Sequence, residues 1–341
     1  MSNADGSLDI DMFLVRLNKS IPEPVAKWMT FVLPVLSLIS LMSTIVMVII
    51  FRRQKNYTGL QRIVSCILVL TTLCLAVRIP LSIILLGNDG LYTDYLEYKW
   101  CEVFTRLNVD TPTVINIINA LLKVGLAVQG LIMMFAPKKA KVLMTSRKTI
   151  WFCFFTCIVG VCVYIPAMYL ITFLPVPWTS KYRPDTEREC CVPFPGDHVI
   201  NIEFYQRDAY LGILCVAHAF PIATMLSVGV ILTVRLYMLK RTSQTDDAVE
   251  QKEHIRAISL CMFVFPGLDL PTAIQILLIT LTYGLVDIGV DINTTQDIVS
   301  YFGLVETICS AFVPVITLFI FCLCDTRIRT TFMQLLRRRN T

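Results

Sequence analysis

The sequence predicts an all-α membrane protein, a seven-transmembrane helix bundle followed by a short amphipathic eighth helix. Of the 341 residues, 55% are hydrophobic and only 16% are charged, which is less charge than a soluble domain of this size exposes. Seven apolar segments are each long enough to cross the hydrocarbon core, which takes about 20 helical residues. Basic residues are concentrated in alternate connections between these segments. Since no internal repeat or low-complexity linker interrupts the pattern, one membrane domain accounts for the chain.

The seven segments fall in chain order at about 27–51, 59–86, 109–135, 149–174, 208–236, 256–282 and 299–323. They divide the chain into an N-terminal tail (1–26), a transmembrane domain (27–323), and an eighth helix with a C-terminal tail (324–341). Every segment contains proline, which transmembrane helices tolerate because neighbouring helices satisfy the freed carbonyl groups.

The distribution of charge predicts the orientation. The connections after the first, third and fifth segments and the C-terminal tail, counted with the adjoining segment ends (Arg62, Arg235 and Arg256), hold 19 basic residues, whereas the opposite face, counted in the same way, holds nine. The positive-inside rule therefore places the N-terminus outside and the C-terminus in the cytoplasm, and we expect a multi-pass protein of the plasma membrane. Anionic membrane lipid accounts for the inner excess of positive charge. Sequons at Asn18 and Asn293 fall on the outer side, so both are predicted glycosylation sites.

The third segment carries a polar stripe. Asn116, Asn119 and Lys123 are spaced i, i+3 and i+7, so a helix places them on one face. A cation near the middle of the membrane is costly unless it is paired or faces a wet interior. We therefore expect the third helix in the interior of the bundle, with the other helices grouped around it.

Four charges lie within the predicted membrane segments, at two matched depths. Arg78 and Glu306 lie roughly 12 and 10 Å from the outer ends of their segments, while Lys123 and Asp269 lie near mid-depth. The matched depths predict two pairs, Arg78 with Glu306 and Lys123 with Asp269, because an unpaired charge there is hard to tolerate. Two interpretations remain open: the polar residues lock helices together, or they form a ligand pocket or an activation switch. The residues to which these interpretations apply are Arg78, Lys123, Asp269, Glu306, Asn116, Asn119 and Gln275.

Catalytic and metal-binding chemistry has no support in the sequence. No Ser-His-Asp arrangement, HExxH motif or glycine-rich phosphate loop occurs in a plausible setting. Most of the 13 cysteines lie in apolar segments without paired CxxC motifs, and His218 has no partner at ligand spacing. The sequence thus predicts no enzyme, no cofactor, no metal site and no nucleic-acid partner.

Seven segments with an outer N-terminus, Cys101 at the start of the third, and Cys190-Cys191 in a long second outer loop resemble a rhodopsin-like G-protein-coupled receptor. In that family a disulfide joins the top of the third helix to this loop, and the oxidising exterior permits the bond. The resemblance therefore implies that Cys101 pairs with either Cys190 or Cys191.

Proline landmarks extend the resemblance. Asp269-Leu270-Pro271 resembles the sixth-helix Glu-Leu-Pro of nematode Srw-type serpentine chemoreceptors and of the related FMRFamide and myosuppressin peptide receptors. Pro221 matches the fifth-helix proline, and Pro314 stands where the seventh-helix Asn-Pro-x-x-Tyr motif belongs. The resemblance therefore implies that Pro221, Pro271 and Pro314 act as conformational hinges.

The cytoplasmic side departs from the family pattern. Gln129, Gly130 and Leu131 replace the Asp-Arg-Tyr triplet at the base of the third helix, so the arginine that meets the G protein is absent. The stretch after the seventh segment resembles the family's amphipathic eighth helix, and we expect its apolar residues, including Ile328, to face lipid. The implied coupling surface, whose partner would be a heterotrimeric G protein, comprises Gln129, Gly130, Leu131, Arg327 and Arg329.

The resemblance implies a receptor for an extracellular peptide or small-molecule ligand, a neuropeptide or chemosensory cue, that signals by a ligand-driven conformational shift. The acidic outer mouth, which includes Glu102 and Asp110, suits an amidated Arg-Phe type peptide. Two alternatives stay open. A charged interior would equally serve a membrane transporter, and the absent arginine would fit a receptor-like binding protein that does not signal.

Overall fold

Seven long helices dominate the computed structural model, which describes residues 23–54, 59–87, 102–103, 106–143, 145–168, 171–179, 187–195, 210–239, 246–285 and 292–337. The long helices are α1 (Glu23–Arg53), α2 (Gly59–Gly87), α3 (Thr111–Phe135), α4 (Ser146–Met168), α5 (Tyr210–Leu239), α6 (Asp246–Leu285) and α7 (Ile292–Cys324). The short amphipathic helix α8 (Thr326–Arg337) follows α7 directly. Each of the seven contains a stretch of 19 to 25 residues that is long and apolar enough to cross a membrane. The predicted fold class is therefore confirmed, and the chain is a multi-pass membrane protein.

Three smaller elements connect these helices. A π-helical turn (Arg106–Asp110) leads into α3, and a seven-residue linking helix (Pro137–Leu143) joins α3 to α4. Between α4 and α5, strands β1 (Ile171–Thr179) and β2 (Glu187–Pro195) form an antiparallel hairpin. We call the end of the bundle that adjoins this hairpin the hairpin end. The opposite end, where α1, α3, α5 and α7 finish, is the basic end, because it carries most of the cationic connections.

The structure corrects three predicted boundaries. The fourth helix was expected to reach 174, but it ends at Met168 and residues 171–174 belong to β1. Pro175 and Pro177 explain the change: they cannot continue a helix, whereas a two-stranded hairpin has only edge strands, where proline is tolerated. Helix α6 begins at Asp246, well before 256, because a polar stretch continues the helix past its apolar segment. Helix α7 begins at Ile292, so Asn293 lies in its first turn and not in a loop.

Helices α2 and α3 form the interior of the bundle. In both, 61% of the apolar stretch is buried, compared with 22% for α4 and 28% for α5. The central position predicted for the third helix is thus confirmed, although α2 shares it. Glycine permits the closest approach on the α4 side: a Cβ added at Gly160 would overlap Ile118 of α3, and one added at Gly125 would overlap the ring of Phe152.

Candidate functional site

Lys123 and Asp269 form an ion pair between α3 and α6. The Lys123 Nζ lies 2.6 Å from both Asp269 Oδ1 and Asp269 Oδ2, and Lys123 is only 5% exposed. The ring of Phe265, one helical turn before Asp269, lies with its centroid 5.5 Å from the same nitrogen, so its π face adds a cation–π contact. The ammonium is therefore fully partnered, and the contact ties the centre of α3 to α6.

Arg78 and Glu306 form the second pair, between α2 and α7. The Arg78 Nη1 lies 3.3 Å from Glu306 Oε2 and donates to Thr307 Oγ1 at 2.9 Å. From α3, the Asn116 amide donates to the other carboxylate oxygen of Glu306 at 3.4 Å. Both pairs predicted from helix depth are present, and Asn116 connects the second pair to the helix that carries the first. Thr307 was missed by the sequence analysis, although it directly follows Glu306.

Asn119 lies between the two pairs on the same face of α3. Its amide nitrogen donates to Thr71 Oγ1 at 3.2 Å, and Thr71 in turn donates to the Ile67 carbonyl at 2.8 Å. The Asn119 Oδ1 is buried and has no hydrogen-bond partner among the residues that the structure describes. Asn119 lines a polar cavity of about 30 Å³, together with Lys123, Asp269 and His218.

The size of this cavity bears on the two open interpretations. A volume of about 30 Å³ has room for roughly two water molecules, whereas small-molecule pockets hold about 300–1,000 Å³. Thr272 and Ser310 line the cavity, but Thr317 turns back to the Val313 carbonyl of its own helix, at 2.7 Å. In this conformation the pair therefore locks α3 to α6, and the cavity beside it is too small for a drug-sized ligand. Gln275 packs against Gly303 of α7, nearer the hairpin end.

Asp110, expected at the acidic mouth, is part of a structural network. Its Oδ1 accepts a hydrogen bond from the Tyr164 hydroxyl at 2.8 Å, and its Oδ2 accepts one from Arg106 Nη1 at 2.8 Å. The side chain of Asp110 is buried, while Glu102 is exposed and lies 3.8 Å from Arg106. The negative charge of Asp110 therefore fixes α4 to the start of α3 and is not presented to a ligand.

Several predicted sites lie outside the described part of the chain. Cys101 and Asn18 are not described, and nothing is described of the side chains of Cys190 and Cys191. The backbone of β2 places these two cysteines opposite Val176 and Pro175. The disulfide and glycosylation assignments thus remain predictions, and the location of Asn293 in a helix removes the loop expected around that sequon.

The three residues of the implied coupling surface that lie on α3 are packed at the basic end. Gly130 is buried, and a Cβ added there would lie 3.2 Å from side-chain atoms of both Ile258 and Leu232. Its neighbours Gln129 and Leu131 are half-buried. These distances are tight, so a larger side chain at Gly130, including the arginine of the family triplet, would require Ile258 and Leu232 to shift.

A second polar cluster joins the basic end of α6 to the start of α8. His254 Nδ1 lies 2.8 Å from Asp325 Oδ2, and Glu253 Oε2 accepts hydrogen bonds from the backbone and hydroxyl of Thr326 at 3.1 and 2.9 Å. We call Glu253, His254, Asp325 and Thr326 the α6–α8 clamp. No sequence pattern joins its two halves, because they are 71 or more residues apart. An aspartate just before a short amphipathic stretch is, however, a recognisable helix N-cap.

Asp325 takes part in both the α6–α8 clamp and the N-terminal cap of α8. Its Oδ1 accepts hydrogen bonds from the backbone N–H groups of Arg327 and Ile328, at 2.9 and 3.1 Å. Burial raises the pKa of Asp325, but the neighbouring His254 and these backbone donors outweigh burial and hold the pKa below its usual value. Asp325 is therefore stabilised as the carboxylate.

Helix α8 is amphipathic, as predicted, but its apolar face is turned toward the bundle. Ile328 is fully buried in the main hydrophobic core, and Phe332 and Leu335 pack against that core. The expectation that Ile328 faces lipid is wrong, because α8 packs against α1 and α7 and the clamp joins its start to α6. Arg327 and Arg329 are exposed on the other face.

The predicted hinge prolines lie inside continuous helices: Pro221 in α5, Pro271 in α6 and Pro314 in α7. Pro271 follows Asp269 by two residues, so the buried pair of α6 is formed next to a break in its backbone hydrogen bonding. Among the described residues, no group of three His, Cys, Asp or Glu side chains is placed to hold a metal ion.

No family model and no curated protein matches the chain. Within the described residues, seven helices are long and apolar enough to cross a membrane, which identifies a multi-pass membrane protein.

Proposed function

We propose that the chain is a rhodopsin-like G-protein-coupled receptor whose hairpin end is extracellular and whose basic end is cytoplasmic. Its ligand would be a neuropeptide or a chemosensory cue. The observation that carries the proposal is the arrangement of two buried ion pairs on helices that contain proline near those pairs, with α3 contacting both. Such pairs give a helix two discrete states, made or broken, and a ligand can favour one of them.

The pair nearer the hairpin end is the point at which a ligand would act. Arg78 and Glu306 are 3.3 Å apart, a looser contact than the 2.6 Å of Lys123 and Asp269. A ligand cation would compete with Arg78 for the Glu306 carboxylate. Because Asn116 also binds Glu306, this exchange would alter a contact of α3. Lys123 lies about 10 Å further along the same helix, so a movement of α3 would also change its contact with Asp269.

A receptor-like binding protein that does not signal is the second candidate function. The close packing of Ile258 and Leu232 against Gly130 favours it, since these two side chains lie against the position where the family has the arginine that contacts a G protein. A transporter is the third reading of a charged interior, and the small volume of the mid-depth cavity argues against it.

A ligand screen on the expressed chain separates the three candidates. Amidated peptides and small odorants are applied to cells that display the protein, and both surface binding and several second messengers are measured. For a receptor we expect a saturable response that Glu306→Gln weakens and Arg53→Gln, at an exposed site at the end of α1, leaves unchanged. Binding without any second-messenger response would indicate the non-signalling protein, and solute flux in proteoliposomes without either would indicate a transporter.

A further inference from the structure

A groove opens on the membrane-facing surface where α3 ends beside α5. It encloses about 260 Å³ and is lined by Phe135, Val230, Ile231, Val234, Arg235 and Met238. We call it the α3–α5 groove. Its five apolar side chains are between 44% and 59% exposed, so they form an open apolar surface and not a packed contact. From Val230 to Met238 the groove runs about 12 Å along α5, which is the length of a substantial part of an acyl chain.

A cation stands at the basic end of this groove. Arg235 lies one turn before Met238, the last residue of the apolar stretch of α5, and therefore near the level of the lipid headgroups. Its guanidinium carbon is 5.8 Å from the centroid of the Phe135 ring, a cation–π contact that holds the side chain over the end of α3. Just beyond Phe135, the linking helix adds the exposed Lys138 and Lys139.

We propose that the α3–α5 groove binds one anionic phospholipid, with an acyl chain in the groove and the phosphate at Arg235. The distribution of charge selects this occupant. The lining contains one cation and no acidic side chain, and two more exposed cations follow Phe135 within four residues, on the linking helix. A guanidinium matches phosphate oxygens with two parallel hydrogen bonds, whereas a purely apolar ligand would leave Arg235 unused.

A lipid bound in the groove would stabilise the packing of α5 against α3, because of where the groove lies. Leu232, which contacts Gly130 of α3, lies on α5 between Ile231 and Val234 of the groove. A lipid bound in the groove therefore contacts both α3 and α5, on the membrane-facing side of the contact between Leu232 and Gly130. A ligand that binds this arrangement better than a separated one stabilises it by mass action. The inference does not depend on the chain being a receptor.

Lipid retention by the purified full-length chain tests the proposal. The protein is exchanged into detergent with equal amounts of phosphatidylglycerol and phosphatidylcholine, and bound lipids are counted by native mass spectrometry. We expect one phosphatidylglycerol to be retained preferentially, and Arg235→Gln to lower that retention about fivefold. Arg53→Gln is the matched control, because Arg53 is also exposed at the basic end but lies on α1 away from the groove.

A second variant tests the apolar lining of the groove separately from the cation Arg235. Ile231→Trp fills the apolar lining and leaves Arg235 in place, so it should reduce phosphatidylglycerol retention as well, and neither variant should lower the melting temperature in lipid-free detergent. Equal retention of the two lipids would overturn the proposal. Equal loss of retention in Arg235→Gln and Arg53→Gln would also overturn it, because retention would then depend on surface charge in general. Unchanged retention in Ile231→Trp would overturn it too, because the lipid would then bind through its headgroup without using the groove.

Discussion

Reversing the charge of Lys123 is the most direct perturbation of the interior. Lys123→Asp removes two 2.6 Å contacts and places two carboxylates in a site where Lys123 is 5% exposed. Breaking a buried pair costs about 3–5 kcal/mol, and repulsion between like charges adds to that cost. Since about 1.4 kcal/mol corresponds to a factor of ten, the ratio of folded to unfolded protein should fall by roughly two to four orders of magnitude.

Adding Asp269→Lys to Lys123→Asp returns opposite charges to the site. We expect the double variant to recover part of the loss, but not all, because lysine is longer than aspartate and now starts from α6. The measurements are surface biotinylation in cells and thermal unfolding of the purified protein in detergent. Lys139→Asp, at an exposed position on the linking helix, is the control and should lie within about 0.5 kcal/mol of the parent chain.

An apolar replacement completes the test. If the pair only locks α3 to α6, Lys123→Met with Asp269→Leu should fold as well as the parent or be more stable, by up to about 4 kcal/mol. The reasoning fails if the double charge reversal is no better than either single reversal. It also fails if Lys123→Asp alone reaches the surface at the parent level, since two facing carboxylates would then be tolerated between α3 and α6.

Three further substitutions test separate contacts. Glu306→Gln keeps the shape of the side chain but removes the counter-charge of a buried guanidinium, so we expect a loss of about 3 kcal/mol in unfolding free energy, measured by thermal unfolding. Gly160→Ala adds a methyl group that would overlap Ile118, and about 1–3 kcal/mol should be lost; an unchanged melting temperature would show that α4 moves away freely. Asp325→Asn should weaken the contact with His254 and loosen α8, measured as faster hydrogen exchange in the first turn of α8. Because the pKa of Asp325 is depressed, its contribution is complete above its ordinary value of 3.8 and is lost as the pH falls below it, so this variant should show a flatter loss of stability in acid.

Helix depth could be predicted from the sequence because the rise of a helix per residue is constant. Counting from the membrane boundaries was enough to pair Lys123 with Asp269 and Arg78 with Glu306. The same argument predicted α3 as an interior helix from its polar stripe. Neither inference needed more than one-dimensional information, since depth is the one coordinate that a membrane fixes for every helix.

Features that depend on lateral packing could not be predicted in this way. An apolar pattern identifies residues that can lie in the membrane, but it does not identify where a helix begins or ends. The first residues of β1 were therefore predicted as the end of the fourth helix, and the start of α6 was predicted too late in the chain. The cation–π contact of Phe265 and the α6–α8 clamp join side chains whose proximity depends on how helices rotate about their axes. Ile328 was assigned to lipid for the same reason: an amphipathic pattern shows that a face is apolar, but not which apolar surroundings it meets.

The pairing of early cations with late anions also bears on how the chain is made. Arg78 and Lys123 are synthesised 228 and 146 residues before their partners, so α2 and α3 must enter the membrane with their charges uncompensated. During that interval the two cations must be solvated by water, by lipid phosphate or within the translocon. A nascent chain released before α6 is made would leave both cations unpaired, and we expect such a chain to be degraded. Fragments divided between α5 and α6 should consequently be degraded when expressed singly and rescued when co-expressed.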